Sequence, residues 1–381
     1  MKYCKSCLTT SLRPNSSFNK KGICVACEFS SQSNSLSSQT HLVRLKEKIR
    51  LLRGQVKLKL NNYDCIVGVS GGKDSTRQAL WVRDRLKMRP LLVCCAYPPY
   101  QMTDIGASNL ENLVKHGFDL IVDTPAPKTS RDLSKKSFVE FGNVCKASEM
   151  ALFASVPRIA IDFDIKLIFW GENPALQVGD SLTGELADPL DGNNLRYLNT
   201  LVDGGEDWMD EVFDSVHKKE HYKYPSLQEY ERRNINIIYL GPAWDDWSNE
   251  MNSTFASLHG LTLRPNEEKI TGDISNASMI DEEFTNINMM IKYYKYGFGR
   301  TTDLVNESIR KNEISREEGI ELVKLYDGVC DDSIIQKYCK YIEISVADFW
   351  KYTNYWINDR IFTKTEKRPI PKFNVGEDFN D

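Results

Sequence analysis

The chain has 381 residues, 41% of them hydrophobic and 27% charged. These values exclude a disordered or collagen-like protein and fit one α/β core with smaller attachments. No apolar run approaches the ~20 residues of a membrane span, and Met1-Lys2-Tyr3-Cys4 lacks the apolar stretch of a secretory signal, so a cytoplasmic protein is expected. The net charge of −4 conceals a basic head. Residues 1–60 carry twelve Lys/Arg against Glu28 and Glu47, a net of +10, which leaves −14 on the rest. Such a head is either a nucleic-acid arm or a basic helix docked on its own acidic body or on a partner, and the second reading is preferred.

In chain order, the first feature is a pair of CxxC knuckles, Cys4/Cys7 and Cys24/Cys27. In a cytosolic chain, thiols at this spacing point to a closed tetrahedral Cys4 site, with zinc organising a ribbon over residues 1–30. A redox CxxC or a labile iron–sulfur site is the alternative. Residues 31–60 are expected to form a Ser-rich linker and a basic helix, capped by Thr40 and carrying Leu42, Leu45, Ile49, Leu52 and Val56 at helical spacing. The apolar run 64–70 predicts a buried parallel strand. Alternation follows, with helices at 75–88, 104–116 and 131–163 (broken or kinked at Pro157) and strands at 91–96, 118–122 and 165–170. A fifth strand is expected at 234–240. The pattern predicts an α/β fold, a doubly wound parallel sheet. Residues 179–215 hold ten Asp/Glu and one basic residue, Arg196. They mark an acidic insertion at about 174–233, read as a solvated surface. From 301 to 381 the chain is expected to be helical. Ser315-x-x-Glu318 is a capping box and Ser345-x-x-Asp348 resembles another helix start. The aromatic residues from Phe349 to Trp356 are read as a packing face. Cys65, Cys94 and Cys95 are expected in the core, and Cys145 is either a lone thiol nucleophile or part of a paired catalytic site, with no evident partner in the sequence.

Ser70-Gly71-Gly72-Lys73-Asp74-Ser75 stands between a buried strand and a helix. The glycines let the backbone turn its N–H groups onto a phosphate, and the helix N-terminus adds the positive end of a dipole. Ser70 and Ser75 offer hydroxyls and Lys73 a cation at the surface of the cradle. Asp74 suits Mg2+. The spacing is not that of a Walker A loop.

The hexapeptide resembles the pyrophosphate loop of the N-type ATP pyrophosphatases, the PP-loop superfamily. That resemblance implies an adenine nucleotide alpha hydrolase-like domain, here over 61–300. Members adenylate a substrate oxygen with release of pyrophosphate, and a nitrogen or sulfur nucleophile then displaces AMP. Three further stretches narrow the likeness: residues 1–27, Leu167-Ile-Phe-Trp-Gly-Glu-Asn-Pro174, and Lys295-Tyr-Gly-Phe-Gly-Arg-Thr-Thr-Asp303 with the segment on to Gly328. Tyr239-Leu-Gly241 with Trp244-Asp245 adds to it. Together these resemble the N-acetyl sugar amidotransferases of bacterial O-antigen and nonulosonic-acid biosynthesis. The resemblance implies conversion of an acetamido group of a nucleotide-activated sugar into an acetamidino group. The ammonia would come from a separate glutaminase similar to the paired imidazole-glycerol-phosphate synthase subunits, because the chain lacks a glutaminase motif.

Residues past strand ends are the expected ligand contacts of an open α/β sheet. Gly171 and Glu172 follow the fourth strand, with Glu172 as magnesium ligand or base, or alternatively as a cap. Tyr97 is expected beside the adenosine. Asn173, Lys295, Arg300 and Asp303 are the candidate sugar contacts, Arg300 through its bidentate fork and Asp303 with helix N-capping as the alternative. A tRNA-modifying enzyme of thiolase or lysidine type is the second reading. The basic head favours it, and the lack of a paired catalytic cysteine after the loop opposes it.

Overall fold

Short apolar runs with no polar alternation make strands that are covered on both faces. In the computed structural model, which describes residues 1–33, 38–55, 63–177, 188–193, 207–213, 219–265 and 268–380, four such runs and one half-exposed edge run, Leu120–Asp123, form one sheet. They are β1 (Cys65–Gly68), β2 (Pro90–Cys95), β3 (Leu120–Asp123), β4 (Leu167–Trp170) and β5 (Asn236–Tyr239). All pair parallel in the order β3-β2-β1-β4-β5. The chain moves outward one way from β1 to β3 and the other way from β4 to β5. The switch point, where open sheets bind ligands, therefore lies between β1 and β4. The fold is the predicted α/β class, a doubly wound parallel sheet with a Cys4 element at its N-terminus and a helical C-terminal region.

Two expectations about helices change. The stretch 131–163 is two helices, Pro127–Phe141 and Lys146–Asp162, and Pro157 lies inside the second. The break falls at Gly142, whose φ of +57° ends the first helix; a Cβ there would stand 2.5 Å from Cγ of Trp356. The second change concerns the basic helix. It runs Ser38–Gln55, so Thr40 lies within it rather than capping it, and the Ser-rich stretch before it is already helical through Ser33. Val56, Arg196 and residues 178–187, 194–206 and 214–218 of the acidic insertion lie outside the described residues.

The basic helix docks on the chain's own body. Leu45 and Ile49 are buried in the sheet core with Val67, Leu92, Phe169 and Trp247, and Lys48 Nζ pairs with Asp188 Oδ2 at 2.6 Å. Full burial of a leucine such as Leu45 contributes on the order of 2 kcal/mol. A second core joins Phe138, Phe284, Tyr338, Phe349 and Phe362. Phe349 and Trp350 are packing residues as predicted, while Tyr355 is 77% exposed. The Ser315/Glu318 capping box and the Ser345 cap are both formed. Among the described residues no helix is long and apolar enough to cross a membrane.

The N-terminal element is clamped by the far end of the chain. Leu8 N donates to Asn306 Oδ1 at 2.6 Å, Tyr3 N to Asp378 Oδ1 at 2.8 Å and Phe379 N to Met1 O at 2.8 Å. Arg13 Nη1 meets Asp303 Oδ1 at 2.6 Å.

Candidate active site

β1 delivers Ser70–Ser75 to the switch point. Gly71 takes φ +83°, and a Cβ on it would meet Leu110 N at 3.2 Å and Gly106 O at 3.3 Å. Glycine is needed there for both conformation and space. The helix Lys73–Asp84 that follows has Gly72 as its N-cap and no side-chain cap. Its first N–H groups are left for a ligand, the arrangement an anion requires. Ser75 Oγ donates to Gly72 O at 3.1 Å and fixes the turn.

Lys73 is buried, 6% exposed, rather than lying at the surface of the cradle as expected. Its Nζ donates to Asp74 Oδ2 at 2.7 Å, and Asn252 Nδ2 donates to Asp74 Oδ1 at 2.6 Å. Asn252 is oriented in turn by Arg77, which donates to its Oδ1 at 2.6 Å and stacks over Trp244 at 4.6 Å. Asp74 is thus aimed by a relay reaching back from residues 244–252.

β4 brings Gly171 and Glu172 against this loop. A Cβ on Gly171 would come within 3.0 Å of Asp74 O, and the fully buried Trp247 donates its indole N–H to Gly171 O at 2.9 Å. Oε2 of Glu172 is buried with no hydrogen-bond partner. Burial, reinforced by the charge of Asp74 and opposed by Lys73, pushes the Glu172 carboxyl up to about 7. Glu172 is not the cap of the next turn. Asn173 is, its Oδ1 accepting from Leu176 N at 3.2 Å.

The sequence reading missed Glu307. It is 3% exposed and its Oε1 accepts from Asn249 N at 2.8 Å. Burial pushes it up to about 7, with Lys73 opposing and Asp74 adding to the shift. Asp281 and Glu149 were missed as well. Asp281 packs on Gly106, the residue that touches Gly71. Burial and Glu282 push Asp281 up to about 7 against Arg264 and Arg300. Burial pushes Glu149 up to about 7 against Lys292 and Lys146. Glu307 lies mid-helix, Glu149 in the first turn of a helix and Asp281 in a turn, positions where an exposed acid is ordinary, so the sequence carries no signal that they are buried.

The remaining predicted contacts divide. Tyr97 follows β2 and lines a small cavity with Gln101, Ser134 and Tyr222. Arg300 opens the helix Arg300–Arg310; its Nε is buried without a partner, and its charge acts on Asp281. Lys295 is engaged away from the loop, donating to Phe141 O at 2.7 Å and lying over the Trp356 ring at 5.2 Å. Asp303 is neither free for a sugar nor an N-cap. Gly299 is the N-cap, and Asp303 is held by Arg13 and Lys292, each at 2.6 Å. Cys145 is buried 3.4 Å from Thr285 Oγ1, and burial holds its thiol well above the ordinary range, which suits a packed thiol and not a nucleophile.

The four N-terminal cysteines converge. Cys4, Cys7, Cys24 and Cys27 are all buried, with sulfurs within 4.8 Å of one another. Backbone N–H groups of Ser6 and Cys24 point at Cys4 Sγ at 3.4 and 3.3 Å, and that of Thr9 at Cys7 Sγ at 3.4 Å. N–H groups aimed at sulfur stabilise thiolates, so the donor set fits a metal. These cysteines are the one such group among the described residues.

Residues 278–377 match the family model described as LPS biosynthesis protein WbpG-like, C-terminal domain. Over those residues the match agrees with the resemblance to the N-acetyl sugar amidotransferases and with a likeness to lipopolysaccharide biosynthesis proteins. The matched domain includes Asp281, Glu282, Arg300 and Glu307, so the WbpG-like segment supplies part of the cluster around the loop. Curated proteins give no match. Among solved structures, the U34-tRNA thiolase NcsA from Methanococcus maripaludis with its 4Fe-4S cluster aligns at 14% identity over 78% of this chain and 88% of that chain, with a TM-score of 0.30. At that score the likeness carries neither substrate nor cluster to this chain.

Proposed function

We propose that the protein is an ATP-dependent amidotransferase that turns an acetamido group of a nucleotide-activated sugar into an acetamidino group. The observation that carries this reading is the meeting of the Ser70–Ser75 loop with Glu172 at the β1/β4 switch point, next to a WbpG-like domain. An acetamido oxygen is a poor leaving group. Its attack on the α-phosphorus of ATP expels pyrophosphate and leaves AMP bonded to that oxygen. Ammonia then adds to the imidate carbon and AMP departs. Negative charge builds on the leaving pyrophosphate, where the uncapped helix N-terminus and Lys73 would stabilise it. Asp74, held by Lys73 and Asn252, and Glu172, with its free Oε2, are the residues placed to hold Mg2+. Near neutral pH Glu172 could also accept a proton from the incoming ammonium. Arg300, unpaired at Nε and close to Asp281, is the candidate clamp for a phosphate or carboxylate of the sugar.

The Cys4 cluster is read as structural zinc, because four thiolates close the tetrahedral shell and leave no position for substrate. Elemental analysis should find one zinc per chain, and Cys24→Ser should abolish it and destabilise the N-terminal element; iron and labile sulfide in its place would refute zinc. A separate glutaminase is the proposed ammonia source, in the cytoplasm, with no nucleic-acid partner. The test of the reaction is AMP release with ATP, ammonium and nucleotide-activated diacetamido sugars in turn, with mass spectrometry of the product. Glutamine alone should not replace ammonium. Turnover that requires tRNA and ignores acetamido sugars would overthrow the reading.

A further inference from the structure

We propose that Arg310 couples the Cys4 metal centre to the nucleotide loop, so that a bound metal and bound ATP stabilise one another. The inference rests on the ATP and zinc sites proposed above.

Arg310 ends the helix Arg300–Arg310 and is 8% exposed. Its guanidinium faces two ways. Nη2 lies 3.5 Å from Cys7 Sγ and 3.9 Å from Cys24 Sγ, and it donates to Thr9 Oγ1 at 3.0 Å. Nη1 donates to Leu176 O at 3.0 Å and Gln177 O at 2.7 Å. These two carbonyls end the turn Pro174–Gln177. Asn173 begins that turn, and Glu172 immediately precedes Asn173. One planar fork therefore holds metal-ligand sulfurs on one side and, on the other, the segment that carries Glu172.

The same helix reaches the loop a second time. Glu307 lies one turn before Arg310, at the i,i+3 spacing that places two side chains on one face. It feels the charges of Lys73 and Asp74 and is fixed by Asn249 N. Asn306, the residue before Glu307, accepts from Leu8 N beside the cysteine knuckle. The helix thus touches the metal element and the loop along a single turn.

The electrostatics give the coupling its sign. Four thiolates around a divalent ion carry a net negative charge, which a buried guanidinium balances. Loss of the ion leaves the four sulfurs with nothing to hold them together, so the partners of Nη2 lose their position. Arg310 then holds the 174–177 turn less firmly, and Glu172 with it. By reciprocity, a nucleotide that fixes Glu172 and Glu307 must hold the metal more tightly by the same factor.

The test uses the full-length, zinc-loaded protein. Zinc transfer to a chromogenic chelator is timed with and without magnesium-saturated, non-cleavable ATP analogue, and analogue binding is measured separately by equilibrium dialysis. The analogue should slow zinc loss at least about fivefold, the low end of ordinary coupling, and bind the zinc-free protein more weakly. Arg310→Lys keeps four thiolates and a positive charge, so it should still hold one zinc. Its single ammonium cannot span sulfurs and carbonyls together, and the analogue should no longer slow release. An analogue that fails to bind at all overturns both this inference and the ATP reading. Binding with unchanged zinc release in the wild type overturns this inference alone, as does an Arg310→Lys protein that keeps the full effect. If Arg310→Lys does not fold, the wild-type comparison decides.

Discussion

Two charged clusters share the Arg300–Arg310 helix and are neutralised differently. At Asp303, two cations, Arg13 and Lys292, meet one carboxylate, each at 2.6 Å. Although burial pushes that carboxyl up, the two cations hold it well below the usual carboxylate range. One turn later Glu307 joins Asp74 and Glu172 around Lys73, and Glu172 and Glu307 are pushed up to about 7. The first cluster is complete in itself and fastens the N-terminal element. The second has more negative charge than the protein balances, which is the condition for taking in a cation or a proton. Proximity of charged residues thus means opposite things at two places on one helix, and the count of counter-charges separates them.

The sharpest way to break this contrast is to remove one charge from each cluster, the cation from one and the carboxylate from the other. Lys73→Ala should cut AMP formation by about 10²–10³, equivalent to ~2.7–4 kcal/mol of transition-state stabilisation, measured as AMP release at saturating ATP. Normal turnover would remove Lys73 from the chemistry. Asp303→Asn leaves Arg13 and Lys292 without their carboxylate. It should cost about 3 kcal/mol in urea unfolding, the low end for breaking a buried pair because the side chains are partly exposed, with the KM for ATP near the wild-type value. A variant with wild-type stability but a raised sugar KM would restore Asp303 to the substrate site.

The smallest expected effect is in pH. Glu172 and Glu307 have folded pKa values above their unfolded ones, so the folded state binds more protons between pH 4.5 and about 7. Their contribution to stability is fully present below that window and is lost as pH rises through it. Asp303 has the opposite sign; its contribution is present above the unfolded value and is lost only in acid. Melting of the ligand-free protein should show Tm falling between pH 5 and 8, and Glu172→Gln with Glu307→Gln should flatten part of the fall. Part remains, because Glu149 and Asp281 titrate in the same window. A double variant with the wild-type slope would deny the pair its shared charge.

What the sequence made legible follows from where its signals are local. β1 and its loop are contiguous, so the apolar run, the glycines and the lysine announce themselves together. Glu172 was legible because it directly follows a strand. Glu307 and Arg310 sit in a helix with an ordinary charge pattern, more than 230 residues from the loop, and their roles exist through packing alone. Asp303 misled because its counter-charge, Arg13, comes from the other end of the chain. The helix break at Gly142 was hidden for a similar reason: the side chain that packs there, Trp356, is far away in sequence.

The clamp on the N-terminal element also orders events during synthesis. Residues 1–30 leave the ribosome well before Asp303, Asn306, Arg310, Asp378 and Phe379, which hold them. The nascent ribbon therefore waits without its seat until those residues emerge, and closing it spans a loop of roughly 300 residues. The entropic cost of that closure grows only slowly with length, so the delay is one of time more than of stability. A metal captured early would keep the knuckles folded through the wait, whereas open thiols would be exposed to oxidation before the chain is finished.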